Sequence, residues 1–361
     1  MTRMRFLIVK TSSIGDVIQS FPLIDLLKKE HPECQIDWVA ERGCASLLEA
    51  HPDIHRVIII DTKKWRKTPF SYRSEIADVI RELRKVCYDA LFDVQGNTKS
   101  GGVNLFARAK AKVGYSWGSL PEKPNYLTTN TRVAVEPRGN VRTRYLQLVG
   151  NYLGAEPVRP KRAAVLQLTP KEEIHLERLK QQGAARPRLM ICFGSNWKNK
   201  QLTEETLVEF LRLVQEKLFC HYFFVYGNEE EKQVTDRLER QFSPYGQTAG
   251  GMSLPLWQRF MQEVEGVIAM DSAALHLSGT TETPSFSLFG PSSALVYKPL
   301  GDHHHAFQGA CPYDVTFEKR CPKLRTCPTG SCLRDLSPND LADEFYKFWM
   351  SRSKSTALST S

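Results

Sequence analysis

Arg5-Phe6-Leu7-Ile8-Val9-Lys10-Thr11-Ser12-Ser13-Ile14-Gly15-Asp16 begins as an apolar run and ends in small polar residues and an acid. Phe6 to Val9 is short and partly β-branched, the pattern of a strand buried on both faces of a parallel sheet. Thr11, Ser12, Ser13 and Gly15 are turn and cap residues, so the strand is expected to pass through a polar turn into a helix. Open parallel sheets bind ligands outside the carboxyl ends of such strands, which puts Asp16 where a reacting group is expected. Capping of a helix that begins with Val17 explains the same aspartate without any chemistry. Both readings stay open on this segment alone.

The alternation of strand and helix continues outward. Val17, Phe21, Ile24 and Leu27 fall at helical spacing, with Pro22 marking a kink or a restart. Gln35 to Ala40 and Val57 to Ile60 read as strands, Ser74 to Lys85 as an amphipathic helix, and Tyr88 to Val94 as a further buried strand. Glu156 to Lys171 is rich in Pro and Arg, as an interdomain linker would be. A second series follows with strands at Arg188 to Phe193, His221 to Tyr226 and Val267 to Met270, and Ser337 to Trp349 closes it as a helix with Leu341, Phe345 and Phe348 on one stripe. Two such series predict an α/β protein with two Rossmann-like, doubly wound domains. The expected division is 1–165, 166–336, a closing helix at 337–350 and a disordered Ser/Thr-rich tail at 351–361.

At 361 residues the chain is long for one core, and 41% hydrophobic with 25% charged residues is an ordinary globular balance. No apolar run approaches the roughly 18 residues that span a bilayer, and the N-terminus lacks a secretory signal, so a cytoplasmic protein is expected. A net charge of +9 favours an acidic partner: nucleic acid, anionic lipid or a phosphorylated substrate. Nine scattered cysteines argue against a disulfide framework, and Cys311, Cys321, Cys327 and Cys332 lack the paired knuckles of common zinc sites. His303-His304-His305 reads as a surface loop without an acid at ligand spacing, and no metal is assigned.

Several segments carry candidate chemistry. Lys63-Lys64-Trp65-Arg66-Lys67 surrounds one aromatic ring with four cations in a loop after a strand. Such a cluster is either a solvated face or a groove for phosphates or an anionic membrane, where Trp can lie at the lipid interface. The loop Asp93-Val94-Gln95-Gly96-Asn97-Thr98-Lys99-Ser100 offers an amide, a cation and hydroxyls beside the Asp16 turn. In the second half, Gly194-Ser195-Asn196-Trp197-Lys198-Asn199-Lys200 lets backbone N–H groups approach a phosphate that a lysine can neutralise. Gly227-Asn228-Glu229-Glu230-Glu231 suits a helix dipole, while one of its carboxylates can also accept both hydroxyls of a ribose. Met252 reads as core or as a packing surface. Asp271-Ser272-Ala273-Ala274-Leu275-His276, with Phe289-Gly290-Pro291-Ser292 after it, is the sharpest pattern: a strand ending at an acid and a hydroxyl before a helix.

In this order, over roughly residues 4 to 350, these motifs resemble the ADP-heptose:lipopolysaccharide heptosyltransferases, above all those that add the first heptose. The resemblance implies a GT-B architecture with a cleft between the two domains. It also implies inverting transfer of L-glycero-D-manno-heptose from ADP-heptose to Kdo of Kdo-lipid A, peripheral to the cytoplasmic face of the inner membrane. It casts Asp16 as catalytic base and Lys200 as the charge that offsets the departing ADP. Donor contacts would come from Ser13, Gly15, Ser195, Asn196, Lys200, Glu231 or its neighbour Glu230, Met252, Asp271, Ser272, Ala273 and His276. Acceptor contacts would come from Lys10, Ser12, Lys63, Lys64, Arg66, Lys67, Gln95 and Lys99. Asn196 stands where the family has Ser or Thr, and Ala273 where glycine is common. In the same family the closing helix often crosses back to the first domain. No cofactor and no metal are expected, since no Asp-x-Asp pair accompanies either phosphate turn. A later-acting heptosyltransferase and a nucleotide-sugar epimerase of the same fold are the alternatives, and the tryptophan-basic segment argues against the epimerase. Nucleic-acid binding is disfavoured because the basic residues are not interleaved with an aromatic RNA-binding motif.

Overall fold

The computed structural model describes residues 3–156, 164–183 and 185–359 and divides into two compact units, Met1–Gln167 and Leu168–Ser361. Residues 157–163 of the expected linker lie outside the described residues, as do positions 360–361 of the expected tail.

The first unit runs β1 (Arg5–Val9), α1 (Ile14–Ile18), α2 (Pro22–Glu30), β2 (Gln35–Glu41), α3 (Ala45–Glu49), β3 (Ile54–Ile60), α4 (Thr62–Lys67), α5 (Arg73–Lys85), β4 (Cys87–Asp93), α6 (Thr98–Phe106), β5 (Arg108–Tyr115), β6 (Thr131–Val133) and α7 (Val141–Leu153). Its six strands pair in parallel in the order β3-β2-β1-β4-β5-β6. Phe6, Leu7, Ile8 and Val9 are fully buried because β1 lies between β2 and β4, with Phe6 opposite Ile36 on one side and Ala90 on the other. Pro22 occupies the first turn of α2, where its missing N–H costs nothing, so it restarts the helix rather than kinking it.

The second unit runs α8 (Pro170–Lys180), β7 (Arg188–Cys192), α9 (Glu204–Leu218), β8 (His221–Val225), α10 (Glu229–Phe242), β9 (Gly246–Ala249), α11 (Leu254–Met261), β10 (Gly266–Met270), α12 (Ala273–Ser278), β11 (Ser285–Phe289), α13 (Ala294–Tyr297), β12 (His304–Gln308), α14 (Ser331–Arg334) and α15 (Pro338–Ser359). Its sheet, also wholly parallel, has the order β12-β11-β10-β7-β8-β9. Both sheets therefore share one winding: the first strand pairs with the second on one side and the fourth on the other. The order in which strands are added across the sheet reverses between β1 and β4, and again between β7 and β10. Ligands of open α/β sheets bind at such switch points.

One expectation is corrected here. His303–His305 is not a surface loop: β12 takes up His304, which is buried with Nδ1 2.8 Å from Ser285 Oγ, and His305, which stacks on Phe286 and pairs with Glu344 at 3.0 Å. Leu341, Phe345 and Phe348 share one stripe of α15, and that stripe joins Phe210 and Phe286 in the second unit's core. Aromatic burial there accounts for the helix's apolar face. The backbone of α15 continues through 351–359.

Candidate active site

At the switch point of the first sheet, Ser13 is the N-cap of α1 with extended backbone, so the helix begins at Ile14 and not at Val17. Asp16 is its third residue. Its Oδ2 accepts from the Ser13 N–H at 3.0 Å and from Ser13 Oγ at 2.8 Å. This is the reciprocal half of a capping box, reached from N3 rather than from the cap position itself. Asp16 remains partly exposed, so capping and chemistry are compatible at this carboxylate.

The turn after β4 braces the turn after β1. Gln95 Oε1 accepts from the N–H of Thr11 at 3.1 Å and of Ser12 at 3.5 Å. Lys99 Nζ donates to Ser12 Oγ at 2.8 Å and to Glu41 Oε1 at 3.0 Å. Beneath them Asp93 is wholly buried and accepts from the N–H groups of Gln95 (3.0 Å) and Gly96 (2.8 Å), Ser100 Oγ (2.9 Å), Asn104 Nδ2 (2.6 Å) and Asn125 Nδ2 (2.7 Å). Five donors replace the water this carboxylate lost, which makes it the structural anchor of the loop. Gly96 is needed here: its φ is +69°, and a Cβ would come 2.8 Å from Pro121 Cδ. Lys10 is buried, with its ammonium 4.8 Å from the centroid of the Tyr145 ring.

The basic segment differs from its expected form. Lys63 to Lys67 is not a loop but lies in α4, whose N-cap is Asp61. Trp65 turns inward and packs against the cluster that contains Leu7, Val9 and Ile58, with Nε1 buried, so it is no membrane-interface residue. Lys64 lies 4.4 Å from the Tyr72 ring centroid and 3.8 Å from Glu75, which also pairs with Arg42 at 3.4 Å. Lys63, Arg66 and Lys67 are exposed. The outward aromatic is Phe70, 88% exposed.

At the switch point of the second sheet, Lys200, which follows β7, meets Asp271, which follows β10. Both side chains are buried, with Nζ 2.5 Å from Oδ2. Ser292 Oγ donates to the same oxygen, and His276 Nε2 lies 3.7 Å from Oδ1. Burial alone would push the Asp271 carboxyl up. The Lys200 and His276 charges and the hydrogen bonds from Lys200 and Ser292 outweigh it and hold the group below the usual carboxylate range.

The neighbouring strand ends carry the remaining candidates. Glu231 folds back so that Oε2 accepts from the Gly227 N–H at 2.7 Å, and any side chain at Gly194 would collide with its carboxylate. Glu230 faces solvent. Geometry thus separates two acids that spacing leaves equivalent. Ser195 uses its carbonyl to accept from Gln201 Nε2 at 2.7 Å, and Asn196 is exposed. Met252, between β9 and α11, is half-exposed and not core. Ser272 is the N-cap of α12 but makes no capping bond. That helix has six residues, so its dipole is short and charge neutralisation falls to Lys200. All nine cysteines are free thiols, and among the described residues no group of three or more His, Cys, Asp or Glu is placed to hold a metal ion.

Among the described residues no helix is long and apolar enough to cross a membrane. Sequence reasoning passed over Glu41 and gave Ser292 no role. An acid at a strand's carboxyl end beside a switch point was the available signal for the first. Nothing local signals the second.

The model of glycosyltransferase family 9 (heptosyltransferase) matches residues 76–326, more than half of the chain. Lipopolysaccharide heptosyltransferase 1 of Salmonella typhimurium is 27% identical over 292 residues, spanning 80% of this chain and 89% of that protein. The protein of the same name from Pseudomonas aeruginosa is 26% identical over 304 residues, spanning 80% and 79%. Among solved structures, E. coli heptosyltransferase WaaC with ADP superposes with a TM-score of 0.78 at 22% identity, covering 96% of this chain and all of that one. E. coli ADP-heptose lps heptosyltransferase II gives 0.70 at 18%, covering 97% and 100%. Two Rossmann-like units in this arrangement of strands are the GT-B fold of those structures. By its family match, and with both switch points furnished as described, this chain belongs to glycosyltransferase family 9, the heptosyltransferases.

Proposed function

We propose that this chain transfers L-glycero-D-manno-heptose from ADP-heptose to Kdo of Kdo-lipid A, with inversion, during assembly of the lipopolysaccharide inner core. The observation that carries the reading is the buried Lys200–Asp271 pair at the second switch point, a cation held ready where a nucleotide diphosphate would bind. The names of the relatives agree with it: lipopolysaccharide heptosyltransferase 1, and a WaaC structure with ADP-2-deoxy-2-fluoro heptose.

In this reading the first unit binds the acceptor and the second the ADP-sugar. Asp16 takes the proton of the attacking Kdo hydroxyl. That oxygen forms the new bond to the anomeric carbon as the bond to ADP breaks, and direct displacement inverts the centre. Lys200 offsets the charge on the departing diphosphate, assisted by the Ser272 hydroxyl and the Ala273 N–H. Glu231, rather than Glu230, accepts the ribose hydroxyls, Met252 packs on adenine, and Asp271 and His276 border the sugar. Ser13, Gly15, Ser195 and Asn196 complete the donor contacts. Lys63, Lys64, Arg66 and Lys67 meet the anionic groups of the acceptor, with Lys10, Ser12, Gln95 and Lys99 at the turn.

Phe70, exposed three residues beyond Lys67, together with those cations gives the protein a means of resting on the anionic cytoplasmic face of the inner membrane. With lysine in this role no metal ion is required. The test is mass analysis of Kdo-lipid A after incubation with ADP-heptose and excess chelator: one added heptose is expected. An unmodified acceptor refutes the reading, and release of a free altered sugar favours the epimerase.

A further inference from the structure

Glu41 belongs to no motif, yet it joins three elements on which acceptor binding depends. It ends β2, and its side chain is 12% exposed. Its Oε2 accepts from the Thr62 N–H at 3.1 Å, and its Oε1 accepts from Thr62 Oγ1. Thr62 is the first residue of α4, the helix that carries Lys63, Arg66 and Lys67. Oε1 also accepts from Lys99 Nζ at 3.0 Å, and the same ammonium donates to Ser12 Oγ at 2.8 Å. The Glu41 N–H donates to the Thr11 carbonyl at 2.9 Å.

One carboxylate therefore fastens the start of the basic helix, through Lys99, to the turn that leads into Asp16. We propose that Glu41 is a positioning residue for the acceptor, holding the cations that grip its anionic groups in fixed register with the base that deprotonates its hydroxyl. The proposal rests on the heptosyl-transfer reading and deepens its acceptor side. A helix of six residues has little stability of its own, so its placement depends on such ties. Without Glu41 the Thr62 N–H and the Lys99 ammonium lose their shared acceptor, and α4 can shift relative to Ser12. All these contacts lie within the first unit and leave the donor residues of the second unit untouched, while Gln95 still braces the turn that carries Ser13 and Gly15.

The test is steady-state kinetics of the full chain with ADP-heptose and detergent-dispersed Kdo-lipid A. Glu41→Ala is expected to raise the acceptor KM and lower kcat, each by about tenfold, as a displacement near 1 Å does in positioned reactions. The KM for ADP-heptose should stay within about twofold of wild type. Glu41→Gln, which keeps the shape and one acceptor oxygen, should recover most of the loss. Thr62→Val should raise the acceptor KM less, and in the Glu41→Ala background it should add nothing, because it breaks a tie already lost. Donor and acceptor KM moving together, multiplying losses in the double variant, or wild-type kinetics in Glu41→Ala would each overturn the proposal. If Glu41→Ala fails to fold, Thr62→Val decides alone: an unchanged acceptor KM rejects Glu41's role. Absence of heptose transfer by the wild-type chain would instead reject the underlying reading.

Discussion

Replacing Lys200 by methionine keeps much of the side-chain stem and removes the ammonium that faces Asp271 at 2.5 Å inside the second unit. Removing one partner of a buried pair costs about 3–5 kcal/mol, because the remaining charge is stranded. Ser292 Oγ and His276 stay beside Asp271, so the lower end, about 3 kcal/mol, is expected for Lys200→Met. Adding Asp271→Asn removes the stranded charge and should restore about 2 kcal/mol of that loss. In the wild type the Asp271 carboxyl is held below 3.8, its ordinary value, so its contribution is complete above that pH and is lost as pH falls through the folded value. In Lys200→Met the largest opposing charge is gone, and burial is expected to push the carboxyl up. The deficit of the single variant is therefore largest near neutrality and shrinks on acidification as Asp271 takes up a proton. Urea unfolding of the three proteins, followed by fluorescence near neutral pH and again near pH 4, measures all of this. A single variant as stable as wild type near neutrality would refute the reasoning, and so would a double variant less stable than the single one.

Asp16→Ala should lower kcat about 100-fold if the residue is a general base, and cost about 1 kcal/mol through loss of the capping bonds to Ser13. Reduced stability with unchanged turnover would leave capping as its whole role. Neutralising Lys63, Arg66 and Lys67 together should raise the acceptor KM and weaken binding to anionic vesicles by about 1 kcal/mol per charge, with donor KM unmoved; sedimentation with such vesicles checks the second part. Burial, and then the negative charge of Asp53, push Asp25 up to about 6 from 3.8, so the folded state binds more protons and stability falls as pH rises through that window. Asp25→Asn should then gain about 1–2 kcal/mol near neutrality, discounted for partial exposure, and nothing near pH 4. His51, which burial keeps near 4 against an ordinary 6.5, works the other way. His51→Gln should flatten the loss of stability between pH 6.5 and 4, read from melting curves across that range.

β1, β8 and β10 were legible because apolar runs fill them, and β4 because Ala90 to Phe92 follows Asp89 unbroken; β11, buried throughout, was not, since Ser285 and Ser287 break its run. The edge strands β6, β9 and β12 were not, since few of their residues are fully buried and Thr131-Arg132-Val133, Gly246-Gln247-Thr248-Ala249 and His304-His305-Ala306 look like loop. The hidden orientation of Trp65 has a similar cause, because four flanking cations mask one inward ring. The Ser-x-x-Asp spacing at Ser13 and Asp16 did hold the helix start, and a capping-box reading would have moved it from Val17 to Ile14. Pairings across strand ends were beyond reach. Lys200 and Asp271 are 71 residues apart, and only the winding of the sheet brings them together.

The packing of α15 bears on how the chain is made. Phe210 and Phe286 are sealed by Phe345 and Phe348, so the second half has no finished interior until residues near 348 have left the ribosome. Through most of its synthesis this half carries uncovered aromatic surface, the condition under which nascent chains aggregate or call on chaperones. A truncation before Pro338 would make that transient state permanent, and its cost should be seen in soluble yield before it is seen in catalysis.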